Sequence, residues 1–281
     1  MKTWHTLLLI ILFPSILSCE EKAATYPEQS TIDQKAFVEW VQHQDSVLDL
    51  QEVLKTIPPE FLEEVELTDK AFKKKLRYQA ISLEFLFGMW QDSGKLDISN
   101  TSLIFPCKDG YSPSMPLANM YGKGGFITLG IKTPSGSYAW PDSVAEKFAP
   151  LYLVWKDLDP GVYGYPWPYG LTNIKLKNTQ NTFAAALPEA HAGFDKGYKS
   201  FKLYCMKCHQ INKVGGEMGP ELNYPKSITD YMDKEDIWGF IKNPQSYRYN
   251  SKMPAIKPLS RDEFEEIYKY LSHMKSRTKA S

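Results

Sequence analysis

Gly197-Tyr198-Lys199-Ser200-Phe201-Lys202-Leu203-Tyr204-Cys205-Met206-Lys207-Cys208-His209 is the stretch that decides the carboxy-terminal fold. It closes on C-x-x-C-H. Two thiols one helical turn apart can each add to a haem vinyl group, forming two thioethers. The adjacent imidazole then lies against the porphyrin face, where a ring nitrogen can ligate iron. In a chain of this composition such a pentapeptide arises by chance roughly once in a thousand sequences. A structural zinc site on the same cysteines would need a second ligand pair, and only Cys107 and distant histidines remain. A thioredoxin-like redox pair would need a helix that starts at the first cysteine, whereas this pair closes one.

Working outward, the periodicity predicts three helical segments, at about Phe194–Cys205, Lys234–Lys242 and Arg261–Lys275. Asn243-Pro244 stops the second, and Ser260 with Glu263 forms a capping box that opens the third. From Gly197 to Leu271 the segment resembles the class I monohaem cytochrome c family. Gly197, Phe201 and Cys205 stand at successive four-residue steps, as in that family's first helix. Tyr270-Leu271 stand where its last helix carries an aromatic-aliphatic pair that crosses the glycine closely. Gly219-Pro220, with Leu222, resembles the loop whose proline packs near the histidine ligand. The resemblance implies an all-α domain over residues 193–281 holding one haem c, attached through Cys205 and Cys208, with His209 as one axial ligand. The family's second ligand is a methionine on a loop before the last helix. Met253, in Lys252-Met253-Pro254, fits that place, 44 residues beyond His209. Met218 lies too near His209 in sequence to reach the opposite face, Met232 precedes the second helix, and Met274 lies at the far end of the last. His191, His273 or an open site are the alternatives. Trp238, Tyr224 and Tyr249 are candidates to line the haem pocket. With both axial positions filled by protein, iron has no vacant site for substrate, which implies outer-sphere electron transfer.

The chain ahead of this domain has a different texture. From Thr31 to Met89, apolar residues recur at helical spacing (Phe37, Val38 and Val41, Val47 and Leu48 after a polar gap, then Phe72, Leu76 and Ile81 to Phe87), with a break at Pro58-Pro59. From Leu96 to Leu176, short β-prone runs at Ser102–Phe105, Phe126–Leu129, Leu151–Trp155 and Ile174–Leu176 alternate with Gly, Pro, Asn and Asp. The expectation is a multidomain chain, with an α+β domain at 32–177 and a linker at 178–192 before the all-α domain. Asp109-Gly110-Tyr111-Ser112, Met115-Pro116-Leu117, Pro150–Trp155 and Trp167–Ile174 resemble the later part of sulfite oxidase-type molybdopterin-binding domains, over residues 102–176. Those enzymes hold molybdenum through a cysteine well upstream of the Asp-Gly-Tyr element. Here Cys107 is two residues before Asp109, which implies a partial fold without the cofactor, or an unrelated fold. Cys107 then reads as a buried, inert thiol. The aromatic-rich stretch Tyr138 to Tyr169 is either packed under the loops or a docking surface.

The first residues read as an export signal at 1–18: Lys2, an apolar run from Leu7 to Leu17, and a small residue before Cys19. Ile16-Leu17-Ser18-Cys19 resembles a bacterial lipobox, which implies lipidation of Cys19, a tether at 19–31 and a membrane-anchored protein facing the periplasm. No later run is apolar for the eighteen or so residues that a membrane span needs. Net charge is zero but uneven. Residues 191–281 carry 16 Lys and Arg against 11 Asp and Glu, and residues 20–190 carry 16 against 22. That asymmetry allows an acidic protein partner, or simply an interface between the two halves of the chain, and gives no sign of nucleic-acid binding. The combined expectation is an electron carrier or electron-transfer subunit, serving redox partner proteins such as a dehydrogenase or terminal oxidase. The alternative is a sulfite dehydrogenase-like oxidoreductase whose first domain oxidises a small substrate.

Overall fold

The computed structural model describes residues 34–43, 47–92, 97–159, 162, 164–190 and 192–277. Cys19, the export segment, the tether and His191 lie outside the described residues.

The amino-terminal region is α+β and built on two antiparallel sheets. Helix α1 (Gln34–His43) and the short α2 (Leu50–Thr56) flank strand β1 (Val47–Asp49). The Asp49 carboxylate caps α2 by accepting from the Gln51 N–H at 2.8 Å. Strands β2 (Glu63–Thr68) and β3 (Lys75–Ser82) then form a hairpin, and α3 (Leu83–Asp92) follows. Helical spacing at Val47 and Leu48 and again around Leu76 and Ile81 thus misread the strands β1 and β3. Along β2 the alternation is clean, with Val65 and Leu67 buried while Glu64 and Glu66 stay on the outer face. There Glu66 meets Lys75 at 2.6 Å and Arg77 at 2.8 Å, and Glu64 meets Lys132 at 2.6 Å. Between the strands, the buried Asp69 carboxylate accepts from the N–H groups of Ala71 (2.7 Å) and Phe72 (2.8 Å) and from Tyr78 Oη (2.8 Å).

Strands β4 (Thr101–Ile104) and β5 (Ser114–Pro116) belong to the smaller sheet. Strands β6 (Gly125–Lys132), β7 (Tyr138–Ala139), β8 (Leu151–Trp155) and β9 (Tyr169–Leu171) extend the larger one, with α4 (Asp142–Phe148) between β7 and β8. Strand β10 (Asn173–Asn178) returns to the smaller sheet, whose order is β1-β10-β4-β5. The larger runs β2-β3-β6-β8-β9, with β7 paired to β6. Every residue of β8 is buried, which explains its unbroken apolar run. Trp140, Trp155, Tyr78, Tyr152 and Phe148 form the aromatic heart of the core. The indoles are satisfied, Trp140 donating to the Pro150 carbonyl at 3.1 Å and Trp155 to that of Pro166 at 2.7 Å. The aromatic-rich stretch is therefore mostly interior, in keeping with the packing alternative.

Residues 178–192, expected as a linker, contain helix α5 (Thr179–Phe183) and a 3-10 turn at Ala184–Ala186. Phe183 and Ala186 are buried in the second core, so this segment packs with the domain it precedes. That second domain consists of α6 (Asp195–Tyr204), a hairpin of β11 (Gln210–Ile211) and β12 (Val214–Gly215), α7 (Lys234–Lys242), α8 (Pro244–Tyr247) and α9 (Arg261–Lys275). Apart from the two-residue strands of the hairpin, it is helical as expected. Helices α6 and α9 cross at Gly197, where an added Cβ would run into the Glu266 carbonyl and sit 2.7 Å from Tyr270 Cβ. Glycine is required for backbones to come this close. Phe201 and Tyr270 seal the crossing with ring centroids 5.4 Å apart, and Tyr270 Oη donates to the Ala186 carbonyl at 2.6 Å. Ser260 caps α9 reciprocally with Glu263, as its sequence implies. Among the described residues no helix is long and apolar enough to cross a membrane.

Candidate functional site

Helix α6 delivers the cysteine pair and stops there. Cys205 still donates its N–H to the Phe201 carbonyl at 2.8 Å, while Cys208 and His209 both fold back onto the Cys205 carbonyl, at 3.0 and 2.9 Å. This compact turn places two free, half-buried thiols and the imidazole in a single loop at the helix end. Burial pushes the Cys205 thiol up to about 12 and raises Cys208 as well, with Lys207 opposing both shifts.

His209 is oriented from behind. Its Nδ1 lies 2.8 Å from the Pro220 carbonyl oxygen, which fixes Nδ1 as the protonated nitrogen and leaves the Nε2 lone pair available for a metal. Burial lowers the imidazole's pKa, and the Pro220 hydrogen bond opposes that shift. The ring is pressed against Gly219, where an added Cβ would lie 2.6 Å from Nδ1 and 2.8 Å from Nε2. Gly219 is itself held by its N–H to the Cys208 carbonyl at 2.8 Å. Gly216 likewise has no room for a Cβ against the Lys207 backbone. The glycine-rich loop after the motif is thus moulded on the motif. The run Gly215-Gly216 carried a signal for this that the sequence reading did not use.

Met253 lies half-buried on the loop between α8 and α9, the place the family pattern gives to a second axial ligand. That loop is fastened at both ends. Gln245 Nε2 donates to the Ser251 and Met253 carbonyls, both at 3.1 Å. Lys242 Nζ donates to the carbonyls of Ile256, Lys257 and Leu259 at 2.9–3.2 Å. Neither anchor was legible in sequence, because a side chain that binds backbone carbonyls leaves no motif. The competing groups have other occupations. Met274 is fully buried in the domain core, Met218 is exposed on the surface, and His273 stacks on Phe194 with centroids 4.2 Å apart while its Nε2 accepts from the Glu189 N–H at 3.3 Å. Of the pocket candidates, Trp238 packs on Phe264, whereas Tyr224 is partly exposed and Tyr249 stands 91% exposed, outside any core.

Cys107 is buried at the edge of the first core, its thiol 3.6 Å from the Phe105 carbonyl and raised by burial well beyond the ordinary range. It lies apart from Cys205 and Cys208 in the sequence and does not line the cleft between the domains. Among the described residues no group of three or more His, Cys, Asp and Glu gathers to form a metal cage. A neutral thiol closed off in this way is not poised to bind a metal as a thiolate.

A helix ending in a C-x-x-C-H turn, an imidazole oriented through its far nitrogen and a glycine-gated crossing with the last helix together define a cytochrome c domain, a module that binds haem c. Residues 192–271 match the family model described as cytochrome c oxidase, cbb3-type, subunit III. The match covers less than a third of the 281 residues and none of the α+β region. No curated protein matches the chain.

Proposed function

We propose that this chain is a single-haem electron carrier or electron-transfer subunit, held to a membrane surface by acylation of Cys19 and facing the periplasm. Cys205 and Cys208 carry the thioethers, and His209 and Met253 are the axial ligands. The observation that carries this reading is the hydrogen bond from His209 Nδ1 to the Pro220 carbonyl, which presents Nε2 alone for ligation. Haem supplies a one-electron couple, and a thioether ligand favours the ferrous state and a high reduction potential. The chain's own work is to anchor, orient and shield. The C-x-x-C turn fixes the group to the end of α6, Gly219 sets the imidazole plane, and Gln245 with Lys242 holds the Met253 loop in place. The matched family description names an oxidase subunit, and a terminal oxidase is a partner that suits a high-potential carrier.

The competing enzyme reading asks the first domain to oxidise a small substrate on its own metal, and the enclosed, neutral thiol of Cys107 counts against it. Metal analysis of the purified holoprotein tests both readings. One iron per chain with no molybdenum or copper fits the carrier, and a second redox metal in stoichiometric amount overturns it. Covalent haem staining on a denaturing gel should vanish in Cys205→Ala/Cys208→Ala, and staining that persists in that variant refutes the attachment site.

A further inference from the structure

The hydrogen bond that orients His209 is one rung of a ladder between two arms of chain. One arm, 208–212, leaves the cysteine turn, and the other, 219–223, carries Pro220. The Gly219 N–H donates to the Cys208 carbonyl at 2.8 Å and the Leu222 N–H to the Gln210 carbonyl at 3.0 Å. The last rung is a side chain. Glu221 Oε1 accepts from the Asn223 N–H at 2.8 Å in its own arm and from the Asn212 N–H at 3.1 Å in the other.

Both asparagines are tied in turn to the rest of the domain. Asn223 Nδ2 donates to Asn212 Oδ1 at 2.8 Å and to the Met274 carbonyl of α9 at 2.7 Å. Asn212 Nδ2 donates to the Ala185 carbonyl at 3.0 Å and to the Arg277 carbonyl at 3.3 Å. Glu221 therefore joins the Pro220 arm to a frame that reaches α9 and the turn after α5. Its charge is also uncompensated. Oε2 is buried without a hydrogen-bond partner, and among the described residues no cation forms an ion pair with Glu221. Negative charge held in this way is weakly screened. It lies one residue from the carbonyl that accepts the imidazole N–H, so it favours positive charge on the ring and on a metal the ring ligates.

We propose that Glu221 is the positioning residue on the His209 side of the site, and that its carboxylate lowers the haem reduction potential. This rests on the haem reading above. Oε1 holds the Pro220 arm so that its carbonyl meets Nδ1, that hydrogen bond strengthens Nε2 as a donor, and the unpaired charge favours the ferric state. A thioether on the opposite face favours the ferrous state, so Glu221 and Met253 oppose one another and the potential is their balance.

The test compares the full-length holoprotein with Glu221→Gln, Glu221→Asp, Glu221→Ala and Asp236→Asn by redox titration and by proton NMR of the reduced state. Glu221→Gln keeps an oxygen for both N–H donors and removes the charge. It should retain covalent haem and the near-infrared sulfur-to-iron band. The ferrous-to-ferric ratio at fixed applied potential should rise at least about threefold, roughly 28 mV by the one-electron relation between ratio and potential. Glu221→Asp keeps the charge and should stay nearer the parent. Glu221→Ala should show the rise and, with the Pro220 arm released, a shifted His209 Nδ1–H resonance. Asp236→Asn removes an exposed carboxylate of α7 and should leave the ratio unchanged. A potential unmoved in Glu221→Gln, or moved equally in Asp236→Asn, overturns the proposal. Should Glu221→Gln fail to fold, equal potentials in Glu221→Asp and Glu221→Ala overturn it instead. Haem staining and the sulfur band are read separately from the potential, so a null result at Glu221 leaves the haem assignment standing, whereas a parent lacking both overturns that assignment and this proposal with it.

Discussion

The backbone N–H of Ser112 donates to the carbonyl of Lys207 at 2.9 Å, joining a loop of the α+β domain to the residue between the two motif cysteines. A second bond runs the opposite way, from the Glu217 N–H to the Gly110 carbonyl at 2.9 Å. The Asp109-Gly110-Tyr111-Ser112 loop is thus laid against the C-x-x-C turn and the loop that follows it, pairing backbone with backbone. Contacts of this kind fix distance and register whatever the side chains, and they give the first domain a role in covering the cysteine edge of the haem site.

Gly110→Ala tests that docking. Gly110 has φ +84°, and an added Cβ would lie 2.9 Å from both Glu217 C and Met218 N. The left-handed conformation alone costs a non-glycine residue about 1 kcal/mol, and the clash adds to it. The variant should keep both domain cores yet lose their coupling, seen as a single thermal transition splitting into two. A single transition at an unchanged temperature would show that the loop bears no load.

Much of the cytochrome c domain was legible because its elements are local. Lys234–Lys242 and Arg261–Lys275 form helices at the bounds their caps and periodicity gave, and α6 differs from its expected span by a single residue at each end. The first domain was harder to read, since its pairings join distant segments. Strand β10 lies between β1 and β4, which precede it by about 125 and 70 residues. The β2–β3 hairpin was missed because charged residues fill the outer face of each strand and Asp69 makes the turn without a glycine signal. The cysteine pair and His209 could be named from sequence, whereas the Pro220 acceptor and the Glu221 rung depend on how separate segments come together.

Met253→Ala should leave haem covalently attached and remove the weak near-infrared sulfur-to-iron band. The reduction potential should fall by on the order of 0.1 V or more, since axial ligands command much of the haem range. Absorption spectroscopy and a redox titration of the purified variant check both. A band that survives the substitution assigns the sulfur ligand elsewhere.

At the crossing of α6 and α9, Gly197→Ala should destabilise the domain by about 1–3 kcal/mol, the ordinary cost of overpacking. The Glu266 backbone and Tyr270 Cβ stand where the methyl group would go, and neither is the free end of a flexible side chain. For a domain of this size the loss lowers the midpoint of thermal unfolding by roughly 4–8 °C per kcal/mol. A variant that melts with the parent would mean the helices part without cost.

The α9 cap gives a pH dependence whose sign is fixed. Glu263 has its pKa lowered, first by the Ser260 backbone N–H and also by the Ser260 and Tyr204 hydroxyls. A carboxyl depressed in the folded state contributes stability above its unfolded value near 4.5, and that contribution fades as pH falls through the folded value. Acid should therefore weaken the domain below about pH 4.5. Glu263→Gln should flatten that part of the curve, and Ser260→Ala should cost about 1 kcal/mol at neutral pH. Chemical denaturation at a series of pH values measures both, and identical acid limbs for parent and Glu263→Gln would remove the cap from the account.

Gly219→Ala is the sharpest probe of the imidazole. Its methyl group would enter the His209 ring, so either the ring turns or the Gly219–Pro220 segment retreats. Both movements break the 2.8 Å contact between Nδ1 and the Pro220 carbonyl that sets which nitrogen faces the metal. The cysteines are untouched, so haem staining on a denaturing gel should match the parent. The electronic spectrum should shift toward weaker axial ligation, and exogenous imidazole should then bind where the parent excludes it. If the variant keeps the parent spectrum and still refuses imidazole, the ring orientation is set by something other than Gly219, and the hydrogen bond to Pro220 loses its place as the element that presents Nε2 to iron.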